Sequence, residues 1–581
     1  MTTTTQFHVQ HSVWQCTWLG AEHISDLRIL ISLRISYSAY PPFKLENNST
    51  ALQSALTKLR SQLDQLIQTG NGQYGPVTPN TTSFSIALFS TNPGTAADEP
   101  FFFDYHYTAP SLKDSTTTGV RSVDADSIYR IGGLTEVFTI WCLLIEAGDE
   151  VWNNPVTKYA PELEGAARAR GSGDIDGVDW ESITVGQLAS HMSGISRDYG
   201  LGDLSQQIQN AVAYGFPGLP TDTIPACYLQ NQCNRTGQTP KSQHANSRLT
   251  CSSVVMPGTT PVYSNDAFQI LGYVVENITG ESFENVLSSR ILAPLGMNQT
   301  TLYTPKSPTL GVIPVNEATT QYQCSHLPAV FPSPEKQSYH PPSYPPSQTN
   351  RWLKPVTHTS NPKGSIGLPW IIYSAGDYPN TSMIDIYTAY DNLVPDYGFG
   401  FAILAADTES NPDLNAHADY AGNLTIDLIE IAMLNANATF TGSYTASSSE
   451  LSGLNSSISI SVDSLPGLIV DSFISNGTDF RKQLAMLYNA ADYEALSVRL
   501  YPTHLSSTTT QPGGSRQVFR AVYQDKKEFA DAGTPTCVSW RDVDKFRYGG
   551  AAVDLFVFDL DAEGKIVGVE IPALRVKLEK D

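Results

Sequence analysis

Residues 128–139 read Ile128-Tyr129-Arg130-Ile131-Gly132-Gly133-Leu134-Thr135-Glu136-Val137-Phe138-Thr139. An apolar run continues from them to Leu143-Leu144-Ile145-Glu146-Ala147 and stops at Gly148-Asp149. The pattern predicts a helix over 133–147, closed by a glycine. Positions 133 and 136 lie one turn apart and share a face of that helix. One carries no side chain and the other carries a carboxylate.

Four further segments follow in order: Asn154-Pro155-Val156-Thr157-Lys158-Tyr159-Ala160-Pro161-Glu162-Leu163, Ile183-Thr184-Val185-Gly186-Gln187-Leu188-Ala189-Ser190-His191-Met192-Ser193-Gly194-Ile195, Pro261-Val262-Tyr263-Ser264-Asn265, and Ile291-Leu292-Ala293-Pro294-Leu295-Gly296-Met297. Each is weak alone. In this order, over about residues 80–300, the set resembles the serine β-lactamase and penicillin-binding-protein family. Its wording is most similar to fungal β-lactamase-like proteins that carry an extra C-terminal domain.

The resemblance implies a mechanism and shows where this chain departs from it. In that family a Ser-x-x-Lys pair opens the central helix: the serine attacks a carbonyl and the lysine helps take its proton. Here Gly133 fills the serine slot and Glu136 the lysine slot. The second box, Tyr-x-Asn, is retained as Tyr263 and Asn265. It implies proton transfer for the tyrosine and binding of the acyl side chain for the asparagine. The third box, Lys-Ser/Thr-Gly or His-x-Gly with a Gly-Gly-Tyr turn, would follow Thr388, yet Thr388 runs almost directly into Tyr390-Asp391. With it goes one of the two backbone N–H groups that hold the oxyanion.

Two other Ser-x-x-Lys strings exist, Ser333 to Lys336 and Ser360 to Lys363, but each contains a proline that disfavours the helical turn needed to aim the lysine. Without a cationic neighbour Tyr263 is a poor base and a better neutral hydrogen-bond donor. It also reads equally well as a packing residue, together with Asn265. Glu136 reads as a new acid or base, or more simply as a substitution tolerated after the serine was lost. His191 reads as a buried, hydrogen-bonded residue of a structural turn.

Composition narrows the partners. Asp plus Glu number 57 against 35 Lys plus Arg, a net charge of −22. Such a balance argues against binding a phosphate backbone, so no nucleic acid is expected. No run of 18 apolar residues suggests a membrane span. Eleven Asn-x-Ser/Thr sequons, among them Asn80, Asn234, Asn277, Asn380 and Asn476, suggest secretory ancestry. Yet Met1 to Asp26 is mostly polar, and the apolar run Leu27 to Ile35 is broken by Arg28 and Arg34, so no clear signal peptide appears and secreted and intracellular locations both stay open. Of seven cysteines, Cys227 and Cys233 could close a small disulfide loop near Cys251 in an oxidising compartment. No histidines stand at zinc spacing, and neither a metal nor a cofactor is expected.

The fold class expected is α+β: a β-lactamase/transpeptidase-like antiparallel sheet flanked by helices, a helical lobe, and a β-rich C-terminal domain. The divisions are an irregular segment over 1–45, the β-lactamase-like domain over 46–440 and the β-rich domain over 441–581. Leucines at 52, 56, 59, 63 and 66 mark an amphipathic helix over 51–68. Ser83 to Phe89 and Phe101 to Tyr107 read as strands, as do alternating segments near 457–462, 467–473, 518–523, 553–558 and 566–571. The proline-rich stretch 305–350 shows neither period. The resemblance implies a small ester, lactone or amide as ligand, in fungal secondary metabolism among other settings. Three readings stay open: a hydrolase or acyl-transferase, a non-catalytic ligand-binding pseudoenzyme, and a degenerate gene product.

Overall fold

The computed structural model describes residues 40–41, 50–90, 101–115, 117–163, 178–197, 253–302, 308–313, 328–329, 346–359, 364–375, 384–388, 391–394, 397–409, 414–446, 455–463, 465–488, 490, 493–509, 512–525, 543–548 and 551–581. Helix α1 (Thr50–Thr69) buries Leu52, Leu56, Leu59, Leu63 and Leu66, the stripe the leucine spacing dictates. It lies on an eight-stranded antiparallel sheet built from β1 (Thr82–Ser90), β2 (Phe101–Tyr107), β3 (Thr357–His358), β4 (Gly364–Ile366), β5 (Ile371–Ala375), β6 (Ile384–Thr388), β7 (Asp391–Val394) and β8 (Phe399–Asp407), in the order β2-β1-β8-β7-β6-β5-β4-β3. Strands β1 and β8 pair along their full length, from Thr82 opposite Asp407 to Ser90 opposite Phe399. Phe84, Ile86 and Leu88 of β1 join the core shared with α1, while Ser83 and Ser85 take the opposite face.

On that opposite side stands the helical lobe. Its central helix α2 (Thr135–Ala147) is preceded by a 3-10 turn over Gly132–Leu134, so the regular helix starts two residues later than the sequence pattern predicts. The short helix α3 (Val185–Ala189) and helix α4 (Asn265–Thr279) pack with α2 in one apolar cluster that includes Ile140, Leu143, Leu188, Ile270, Leu271 and Val274. Helix α5 (Pro346–Trp352) begins inside the proline-rich stretch that showed no period. Pro346 holds its first position, where a missing N–H is not needed and the fixed φ suits a helix.

Helix α6 (Asn415–Phe440) returns alongside α1 and leads into the C-terminal unit. There β9 (Gly442–Ala446), β10 (Ser457–Ser461), β11 (Leu468–Ser475), β12 (Leu496–Thr508), β13 (Ser515–Asp525), β14 (Leu555–Leu560), β15 (Ile566–Ile571) and β16 (Val576–Lys580) pair in the order β10-β9-β16-β15-β14-β13-β12-β11. Pairing of β10 with β11 closes the ring into an eight-stranded antiparallel barrel. Its interior is filled by aromatic rings, among them Phe473, Phe519, Phe556 and Phe558. Phe440, the last residue of α6, lies 5.1 Å from the Phe519 ring and 5.2 Å from that of Phe558, locking the helix to the barrel. A helix α7 (Phe480–Leu487) packs beside β11.

Among the described residues no helix is long and apolar enough to cross a membrane. Residues 1–39, Asn234, Cys227, Cys233, Cys251, Asn380, most of 305–345 and both proline-containing Ser-x-x-Lys strings lie outside the described residues.

Candidate functional site

Two segments converge on the start of α2. The first runs from α3 through Ser190, His191 and Gly194 to Arg197. Thr184 caps α3 reciprocally with Gln187, which fixes where the helix starts and hence where it releases the chain. His191 then takes a left-handed φ of 57°, a conformation histidine tolerates better than a β-branched residue would. Gly194 takes φ 68°, and a Cβ there would meet Val255 O at 2.2 Å, so the backbone itself demands glycine. The second segment, 258–265, is sewn to the first by Gly258 N to Met192 O at 2.8 Å, Val262 N to His191 O at 2.8 Å and Asn265 N to Arg197 O at 2.8 Å. Ser264 caps α4 by accepting from Ala267 N, and its hydroxyl donates to Ser196 O.

This stitching gathers five polar side chains: Glu136, His191, Tyr263, Asn265 and Arg197. Glu136 Oε2 stands 3.3 Å from His191 Nε2, and both side chains are buried. The backbone N–H of Ser264 points at His191 Nδ1 from 3.3 Å. An amide N–H can only donate, so Nδ1 accepts and the ring proton sits on Nε2, facing the carboxylate. The His191 ring lies 4.7 Å from the ring of Tyr263 and 5.2 Å from that of Phe268. The Tyr263 hydroxyl donates to Asn265 Oδ1 at 3.0 Å, and the Arg197 guanidinium lies 4.7 Å from the centroid of the same ring. Tyr263 and Gly133 are half-buried and form the solvent-reached rim of the cluster, whereas Glu136 and His191 are buried. Glu136 sits in the first turn of α2, where the helix dipole favours a carboxylate. Its Oε1 is buried and has no hydrogen-bond partner among the described residues.

The structure therefore brings Glu136 and Tyr263 to one place, joined through His191. Gly133 lies on the same face as Glu136 and offers no atom to acylate. Two members of the cluster were not legible as site residues. His191 read as a turn residue, and Arg197 was not singled out at all. A cation following the Ser-Gly turn is the only signal the sequence held for Arg197. Its presence also corrects the expectation that Tyr263 lacks a cationic neighbour.

A second polar constellation lies under the sheet. Ser85 Oγ is 2.8 Å from His106 Nδ1, and His106 Nε2 is 3.3 Å from the Asp104 carboxylate. The residue types match a nucleophile, base and orienter. However, Ser85 is almost wholly buried and also bonds the Tyr129 hydroxyl at 3.0 Å. The exposed Asp104 makes no hydrogen bond to the imidazole. It is an interior network pinning β1 to the segment before α2. Cys142 is equally unsuited to chemistry: burial, helped by Glu146, pushes its thiol up to about 12.

Comparison with known proteins agrees with this architecture. Residues 106–319 match the family described as Beta-lactamase, and residues 432–581 match the one described as Beta-lactamase-like-like, C-terminal domain. A Beta-lactamase-like protein of Arthroderma benhamiae is 26% identical over 91% of this chain and 92% of its own length. A protein named as a probable hydrolase in a Phoma species is 22% identical, covering 90% of this chain and 89% of its own. Another probable hydrolase, of Cochliobolus lunatus, is 21% identical over the same shares, 90% and 89%.

Proposed function

We propose, because residues 106–319 form a Beta-lactamase family domain and residues 432–581 match the Beta-lactamase-like-like C-terminal domain, that the side-chain cluster at the start of α2 receives a small ester, lactone or amide without forming an acyl-enzyme at position 133. The observation that carries this reading is the pairing of Gly133, which has no nucleophilic atom, with a buried Glu136 tied to His191. The family's chemistry needs a hydroxyl at the first position and a cation at the second to draw off its proton. Here the second position holds an anion, which would oppose an alkoxide and an oxyanion alike. What the site offers a carbonyl compound is hydrogen bonding and charge: the Tyr263 and Asn265 pair, and Arg197 above the tyrosine ring. Two relatives are named as probable hydrolases, which supports a hydrolysable ligand class.

Intact-protein mass spectrometry tests this directly. The purified chain is incubated with benzylpenicillin, p-nitrophenyl acetate and a fluorophosphonate. No stable adduct is expected. An acyl or phosphonyl adduct mapped to any serine would overturn the reading and identify another nucleophile.

A further inference from the structure

We propose that Glu136 is a general base that activates water for direct, single-displacement hydrolysis of an ester or lactone, with His191 as its positioning residue. This rests on the reading that position 133 is not acylated, and goes beyond it by assigning a reaction to the site. Three observations carry it. Glu136 is only 7% exposed, and its Oε1 is buried without a hydrogen-bond partner among the described residues. A buried carboxylate oxygen is normally hydrogen-bonded, so one left over is a group whose partner is supplied from elsewhere. Second, the other oxygen is held by an imidazole whose tautomer is fixed from behind by the Ser264 N–H. A doubly protonated His191 would set Nδ1–H against that N–H, so His191 is poised to donate to Glu136 and not to act as base itself. Third, the half-buried Gly133 lies three residues before Glu136 at the helix start and carries no side chain to cover that face.

The proposed step balances. As the water oxygen bonds to the substrate carbonyl carbon, Glu136 Oε1 takes one water proton and the carbonyl π pair moves onto the carbonyl oxygen. When that pair returns, the bond from carbon to the leaving oxygen breaks, and the leaving alkoxide takes the proton back from Glu136. Acid and alcohol depart, and the enzyme is unchanged. Arg197 and Tyr263 bring positive charge and a phenol to the rim where the negative charge develops.

The test uses the full-length chain and a panel of p-nitrophenyl acetate, p-nitrophenyl butyrate and δ-valerolactone. Turnover without a burst is expected, and Glu136→Gln should lower kcat/KM by roughly 10²–10⁴-fold, the usual worth of a positioned base, at unchanged Tm. Glu136→Ala should be partly restored by added formate, which a purely structural carboxylate would not allow. That rescue also keeps the proposal testable if Glu136→Gln folds poorly. His191→Asn, suited to the left-handed backbone, should lower kcat and leave KM nearly unchanged. Equal turnover by Glu136→Gln, absence of formate rescue, or no turnover of any panel substrate above buffer would overturn the proposal. An acyl adduct would instead overturn the reading beneath it.

Discussion

Thr388 at the end of β6 pairs directly with Asn392 of β7. Only three residues, 389–391, connect the two partners. On the resemblance read from the sequence, the third catalytic box and its glycine-rich turn would follow Thr388, and so short a connection leaves no room for them. The oxyanion N–H that box supplies in the family would then be missing as well. On that reading, the change at position 133 is one of two departures located on different elements.

Gly133→Ser alone should not create a penicillin- or fluorophosphonate-reactive enzyme. The new hydroxyl would find no lysine beside it, and the short 388–392 hairpin would still offer no third box to help hold an oxyanion. The double variant Gly133→Ser/Glu136→Lys should acylate slowly at most, because the 388–392 hairpin still lacks the third box. Stopped-flow burst analysis with a chromogenic ester checks both, and a burst from Gly133→Ser alone would refute the argument.

Gly194→Ala should disorganise the site from a distance. A Cβ at 2.2 Å from Val255 O, on a backbone at φ 68°, forces the 191–197 segment away from 253–258. The strain alone costs about 1–3 kcal/mol, and the clash adds to it. Thermal unfolding should show a lower Tm, and ligand or substrate affinity should fall although residue 194 is not one of the five clustered side chains.

Leu63→Ala should cost about 2–5 kcal/mol, the range for a leucine removed from a close-packed core. Leu63 is fully buried in the cluster that α1 and α6 share with the sheet. Urea denaturation should show the loss as a lower midpoint with little change in slope.

Elements with a single dry face were the legible ones. The α1 leucines and the alternation of Phe84, Ile86 and Leu88 announce their periods because each buries one side. Helix α6 was not singled out: Asn, Ala and Gly422 interrupt its apolar positions, and it buries residues from Tyr420 to Phe440 against α1, the sheet and the barrel at once. Strand β12 was hidden by Pro502 and the register shift that follows it. At the site, the substitutions Gly133 and Glu136 could be read from the letters. The contact from Glu136 to His191 could not, because a turn at positive φ in a separate segment delivers the histidine.

The barrel carries a carboxylate whose pH behaviour can be worked out in sign. Burial raises the Asp463 carboxyl, but hydrogen bonds from the Arg499 guanidinium and the Leu465 N–H outweigh it and leave the group below the usual carboxylate range. Arg499 is itself buried and also donates to the Leu465, Pro466 and Gly467 carbonyls, so it stays fixed and charged whatever Asp463 does. A depressed folded-state value means that the unfolded chain binds the proton first. The stabilisation is then complete above the unfolded value of about 3.9 and disappears as pH falls through the lower folded value. Because the Asp463 side chain is 38% exposed, solvent screening holds the effect to below about 1 kcal/mol. Asp463→Asn should therefore lower Tm slightly at neutral pH, and the gap from the parent chain should close as pH drops below about 4. Calorimetry from pH 3 to 7 reads this gap, and a constant difference across that range would show that the Asp463 charge does not contribute.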